Sequence, residues 1–223
     1  MNINCKNIGK IYIQNNLLES NCVLKDIHLN ILSGEIVALK GPSGSGKTTL
    51  LNIISGLDNP TSGEILFDNV SMNELSLNQR TSFRNKNLGI IFQFFNLLDD
   101  FNVYENIAMP LLLRKGNNLD IKKKVYSIAD EIGILDKMNS NISLLSGGES
   151  QRVAIARSII GEPKIILADE PTGNLDKENT NKVINLLVET CKRNNTSLLM
   201  VTHDTELLTK FEKVYSLESG SLI

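Results

Sequence analysis

No apolar run in the 223-residue sequence approaches the ~20 residues needed to cross a bilayer; Met109-Pro110-Leu111-Leu112-Leu113 is among the longest. The N-terminus also lacks a basic flank leading into an apolar core, so neither a leader nor a membrane anchor is expected. Cysteine is scarce. Cys5, Cys22 and Cys191 are odd in number and never in C-x-x-C spacing, which argues against a disulfide framework or a zinc site and fits a reducing cytosol. An excess of one charge is missing too: 23 Lys and Arg stand against 25 Asp and Glu, for a net −2. The longest basic stretch, Lys122-Lys123-Lys124, lies in a polar segment expected to face solvent, so nucleic acid is not an expected partner. Asn is common but scattered, and no repeat of solenoid period is present. What remains, 41% hydrophobic, suffices for one substantial core with or without a smaller subdomain.

Against that background one run stands out: Gly41-Pro42-Ser43-Gly44-Ser45-Gly46-Lys47-Thr48-Thr49. Its glycines let successive backbone N–H groups curl inward around phosphates. Lys47 supplies a point charge near the β- and γ-phosphates, and the Thr48 hydroxyl is a magnesium ligand. The plain alternative is a Gly/Ser-rich surface turn, and the flanks decide between them. Ile36 to Leu39 reads as a buried parallel strand. Leu50, Leu51, Ile53, Ile54 and Leu57 recur at helical spacing, with Gly56 as a stop signal. Strand, loop and helix follow in the order phosphate binding requires.

Lys164-Ile165-Ile166-Leu167-Ala168-Asp169-Glu170 reads as a buried strand ending in two carboxylates. Parallel sheets bind ligands beyond the carboxyl ends of their strands, which sets Asp169 for magnesium and Glu170 as general base toward water. Ser197 to His203 repeats the design, with His203 reaching the γ-phosphate. The other histidine, His28, falls in an alternating pattern and is expected on the solvent side. Leu145-Ser146-Gly147-Gly148-Glu149 opens a helix carrying Val153, Ile155, Ala156 and Ile159. Ser146 and Glu149 have capping-box spacing, so a helix start is a sufficient explanation, but Gly147 and Gly148 also suit it to an anion. A phosphate loop and a second phosphate-binding helix start point to sites shared between two chains.

These ordered motifs resemble the ATP-binding cassette (ABC) ATPases over nearly the whole length. The phosphate loop resembles their Walker A, Leu145 to Glu149 their signature, Ile165 to Glu170 their Walker B, and His203 their switch histidine. The resemblance also implies that Tyr12 stacks on adenine, although an ordinary strand aromatic would read the same, and that Gln93 follows a strand. Asn174-Leu175-Asp176 is similar to the D-loop. Together these imply an ATPase using ATP and Mg2+. Glu170, His203, Gln93 and Lys47 are its catalytic set, and Thr48, Gln93 and Asp169 its metal ligands. Nucleotide contacts come from Tyr12, the loop Gly41 to Thr49 and Ser146 to Gly148.

The implied fold is α/β: a single P-loop NTPase (RecA-like) unit over residues 1–223 with a parallel sheet core, an antiparallel β-subdomain including Gly63 to Phe67, and a helical subdomain inserted near residues 94–160. The implied partners are a second ATPase subunit, as a head-to-tail homodimer sandwiching two ATP or as a heterodimer, and an integral membrane permease with a cytoplasmic coupling helix. That places the chain peripherally at the cytoplasmic face of the membrane. Ala168 to Asp176 and Phe92 to Leu98 resemble the branch serving macrolide efflux, lipoprotein release and antimicrobial-peptide resistance. A cell-division type, signalling through a membrane partner without transport, is the alternative. Glu149 replaces the commoner Gln, Lys177 stands where Ser is frequent, and Lys40 adds a charge of undetermined direction. Of Phe94, Phe95, Leu97, Leu98 and Phe101, some are expected in the core and the rest in a groove for the permease.

Overall fold

The computed structural model describes residues 1–13, 20–114 and 117–223. β1 (Ile3–Ile13) and β2 (Ser20–Ile31) pair antiparallel, and alternation sets Ile27, Leu29 and Ile31 inward while Asp26, His28 and Asn30 face solvent. β4 (Ser62–Phe67) pairs with the other edge of β1, and β5 (Val70–Ser71) completes a four-stranded antiparallel sheet, β2-β1-β4-β5.

The second sheet holds the apolar runs. β3 (Ile36–Lys40), β6 (Leu88–Ile91), β7 (Ile165–Asp169), β8 (Ser197–Val201), β9 (Lys213–Glu218) and β10 (Ser221–Leu222) lie in the order β10-β9-β3-β8-β7-β6. Every pairing but that of β10 is parallel, so β3, β6, β7 and β8 all end at one edge. Alternate strand residues feed opposite cores. Val37, Leu39, Ile165, Leu167, Leu199 and Val201 meet the antiparallel sheet and α1 (Lys47–Ile54). Ile36, Ala38, Ile166, Ala168, Leu198 and Met200 meet α5 (Gly147–Ile159) and α6 (Lys177–Arg193). Burial of each such Ile, Leu or Val contributes about 1.5–3 kcal/mol.

A third core joins α3 (Val103–Leu113), α4 (Asn118–Glu131) and α5. Its members Val153 and Ala156 come from one face of α5 and Ile160 from its C-cap, while Ile155 and Ile159 of the same helix face the sheet. The helical layer therefore has no clean boundary at its C-terminal end. Residues 92–102 carry no helix, so its helices begin at Val103.

Two expectations need correction. The helix after the phosphate loop stops at Ile54 with Ser55 as its cap, and Gly56 turns away at φ +69°, leaving Leu57 outside the helix and 50% exposed. None of Phe94, Phe95, Leu97, Leu98 and Phe101 is fully buried; Leu97 only packs against the third core. Among the elements with no counterpart in the sequence expectations, which include β5, β9 and β10, α2 (Leu77–Asn87) buries no residue fully and so carries no apolar stripe. It is held by a capping box between Ser76 and Gln79 and by Phe83, whose ring lies 5.0 Å from that of Phe67. No helix among the described residues is long and apolar enough to cross a membrane.

Candidate active site

The Gly41–Thr48 loop leaves β3 and enters α1 at Lys47. Its N-cap, Gly46, has φ +103° and no side chain to bond the first amides, and the first turn holds no acidic residue. The other five α-helices are all capped by a side chain, from Ser76, Asn102, Asn117, Ser146 and Asp176. The N–H groups and positive end of α1 are thus left for an anion. Only glycine fits at 46, because a Cβ there would lie 2.8 Å from Leu24 Cδ2 and 3.0 Å from the Val23 carbonyl. Gly44 is different, with open space around it and a φ of +77° as its sole constraint.

Inside the loop, Ser45 Oγ is buried without a hydrogen-bond partner, a donor that a phosphate oxygen can satisfy. The buried Lys47 ammonium donates to the carbonyls of Gly41 and Pro42 at 2.9 and 2.8 Å, and it has no carboxylate partner among the described residues. Thr48 faces Asp169 at the end of β7. Burial pushes the Asp169 carboxyl above its ordinary range and the Glu170 charge adds to this, while Thr48 and Lys47 oppose it. A desolvated carboxylate beside a hydroxyl is a donor set suited to a hard divalent cation such as Mg2+.

Glu170 follows immediately, in the left-handed region at φ +42°, with its N–H bonded to the Val201 carbonyl at 3.1 Å. Its Oε2 lies 3.2 Å from His203 Nδ1. Both line a cleft of about 180 Å³ with Thr202, Asp204 and Lys177. Gln93, just beyond β6, approaches from the other side: a Cβ on Gly173 would sit 3.5 Å from Gln93 Nε2 and 3.8 Å from Glu170 Oε2. Gln93 and Glu170 therefore both neighbour Gly173. Tyr12, on β1, sits against the start of α1, where the Thr49 hydroxyl lies beside its phenol.

Lys47, Thr48, Asp169, Glu170, Gln93 and His203 are thus brought to one sheet edge. Ser146, Gly147 and Gly148 are not. Ser146 caps α5, accepting from the Glu149 N–H at 3.3 Å while Glu149 Oε2 accepts from the Ser146 N–H at 2.8 Å. A Cβ on Gly148 would lie 3.2 Å from Asn179 Oδ1, a tight approach that glycine relieves, whereas one on Gly147 would meet Leu175 Cδ2 at an ordinary 3.4 Å.

Several residues support the site through contacts that no sequence spacing gives. Arg157 donates to the carbonyls of Phe95 and Asn96 at 2.7 and 2.6 Å, and Asn174 Nδ2 to the Gln93 carbonyl at 3.2 Å. Lys177 pairs with Glu206 at 2.8 Å. Asn174 lies in the segment similar to the D-loop and Lys177 follows it, but the contacts they make arise only when the fold brings their partners near.

The family described as ABC transporter matches residues 24–173. The chain is 42% identical over 220 residues to the lipoprotein-releasing system ATP-binding protein LolD of Buchnera aphidicola subsp. Acyrthosiphon pisum (strain APS), covering 99% of this chain and 96% of that protein. The protein of the same name from Rickettsia bellii (strain RML369-C) is 47% identical over 217 residues, covering 97% and 95%. Among solved structures, the dimeric post-hydrolysis state of the ATP-binding cassette MJ0796 bound to ADP and Pi is similar at a TM-score of 0.91 and 36% identity, covering 99% of this chain and 96% of that one.

Proposed function

The chain belongs to the ABC transporter family as one of its ATP-hydrolysing subunits, and from that premise we propose that it drives lipoprotein release through a separate membrane permease. The hydrolytic part rests on the Glu170 carboxylate, held at the sheet edge beside the phosphate loop. The release part rests on full-length likeness to lipoprotein-releasing ATP-binding proteins.

In the proposed mechanism the uncapped amides of α1 and the loop bind the phosphates, and Lys47 exchanges its two carbonyl partners for phosphate oxygens. Thr48, Asp169 and Gln93 hold Mg2+. When bound, that ion neutralises charge developing on the phosphates. Glu170 accepts a proton from the attacking water, and His203 both orients Glu170 and bonds the γ-phosphate. Tyr12 stacks on the adenine. Ser146 to Gly148 of a second copy complete each site across a head-to-tail homodimer. The permease's coupling helix docks on the helical subdomain, near residues 94–160, and holds the subunit at the cytoplasmic face of the membrane.

The test is reconstitution of the subunit with its permease in proteoliposomes carrying a lipoprotein. ATP hydrolysis with transfer of the lipoprotein to an acceptor is expected, and both are expected to stop with Glu170→Gln. Permease-stimulated hydrolysis without release would instead favour the signalling, cell-division type.

A further inference from the structure

The Tyr12 ring is not free to turn. Its hydroxyl donates to Asp58 Oδ2 at 2.8 Å, and the other oxygen of that carboxylate accepts from Lys10 Nζ at 2.8 Å and from the Asn59 N–H at 2.7 Å. Lys10 also donates to the Asn59 carbonyl at 2.7 Å, and its ammonium stands 4.7 Å from the Tyr12 ring centroid. The lysine is 9% exposed, so a buried cation is committed to this one cluster, whereas the tyrosine ring is 42% exposed. Asp58 lies just beyond α1, the helix whose opposite end carries the phosphate loop, and Thr49 of that first turn also neighbours the phenol.

We infer that Lys10 and Asp58 are positioning residues for adenine binding: they fix the Tyr12 ring to α1, one face toward the ammonium and the other presented to the base. This rests on the reading of Tyr12 as the adenine-stacking residue. An untethered aromatic side chain loses rotamer freedom when it stacks, and a ring already tethered at its hydroxyl does not lose that freedom on binding. The cation on one side also holds the ring by its quadrupole without occupying the other. Asp58 is itself held to α1, its N–H bonded to the Asn52 carbonyl at 3.2 Å, so the spacing of stacked base and bound phosphates is set through that helix. Asp58 and Lys10 touch no phosphate, so their effect is confined to the base.

The experiment compares ATP with inorganic tripolyphosphate by calorimetry on wild type, Asp58→Ala, Tyr12→Ala and the double variant, with steady-state hydrolysis alongside. Asp58→Ala is expected to weaken ATP about three- to tenfold, the effect of one hydrogen bond, and to leave tripolyphosphate affinity unchanged. KM for ATP should rise with kcat unaltered, and Asp58→Ala should add nothing in the Tyr12→Ala background. Equal weakening of ATP and tripolyphosphate, or additivity in the double variant, would overturn the inference by showing that Asp58 acts on α1 alone. Unchanged ATP affinity in Tyr12→Ala would instead remove the stacking role on which it rests.

Discussion

Glu170 holds a left-handed backbone at φ +42° and a 3.2 Å contact with His203 Nδ1, both set by the way β7 and β8 end side by side. Replacing it by Gln keeps the shape and removes the base. Turnover is expected to fall by about 10²–10⁴, with ATP affinity retained; rapid-quench and binding measurements on the same preparation check both. The cysteines give a second residue-scale prediction. Burial pushes the thiols of Cys5 and Cys191 up to about 12, and both are buried, whereas Cys22 is exposed. Thiolate is the reacting form, so a native titration with an aromatic disulfide should register one fast thiol, and two more only after unfolding. At Glu170 the sequence makes plain a strand ending in two acids. It does not encode the backbone conformation or the histidine contact, which arise only when two strands distant in the chain lie parallel.

Among the elements, those that bury apolar residues on both faces are legible in sequence, since β3, β7 and β8 are nearly unbroken apolar runs. α2 is not, because Phe83 against Phe67 and the guanidinium groups of Arg80 and Arg84, donating to the Asn73 and Gly56 carbonyls, hold it rather than an apolar stripe. The residues around the site that sequence does not disclose, Asp58 and Arg157 among them, act through main-chain atoms or through partners distant in the chain, which no spacing rule encodes. α5 carries the sharpest ambiguity, because its start serves as a capping box within the chain. Ser146→Ala and Ser146→Arg both lose that cap, at about 1 kcal/mol, so their unfolding midpoints should agree. In the proposed head-to-tail dimer only the arginine would add bulk and charge toward the partner's nucleotide, so hydrolysis by Ser146→Arg should fall well below that of Ser146→Ala. Equal rates would leave Ser146 as a cap and nothing more.

At the level of the whole molecule, one chain brings the phosphate loop, Asp169, Glu170 and His203 to one edge, while Gly147 and Gly148 lie near Leu175 and Asn179. Closure by a second copy is the arrangement proposed for joining them. Glu170→Gln loaded with ATP and Mg2+ should therefore sediment as a dimer, and revert to monomer when the nucleotide is removed; a monomer under both conditions would contradict the shared site. α1 adds a different consequence. It is the one α-helix described that brings no cap of its own, so in effect it borrows one from its ligand. By mass action, ATP at a hundred times its dissociation constant stabilises the fold by about 2.7 kcal/mol, and the melting temperature should climb steadily with nucleotide concentration. In a cell this ties the lifetime of the protein to energy charge: as ATP runs down, the unfolded fraction open to proteases rises, and an exhausted cell dismantles a consumer of the fuel it lacks.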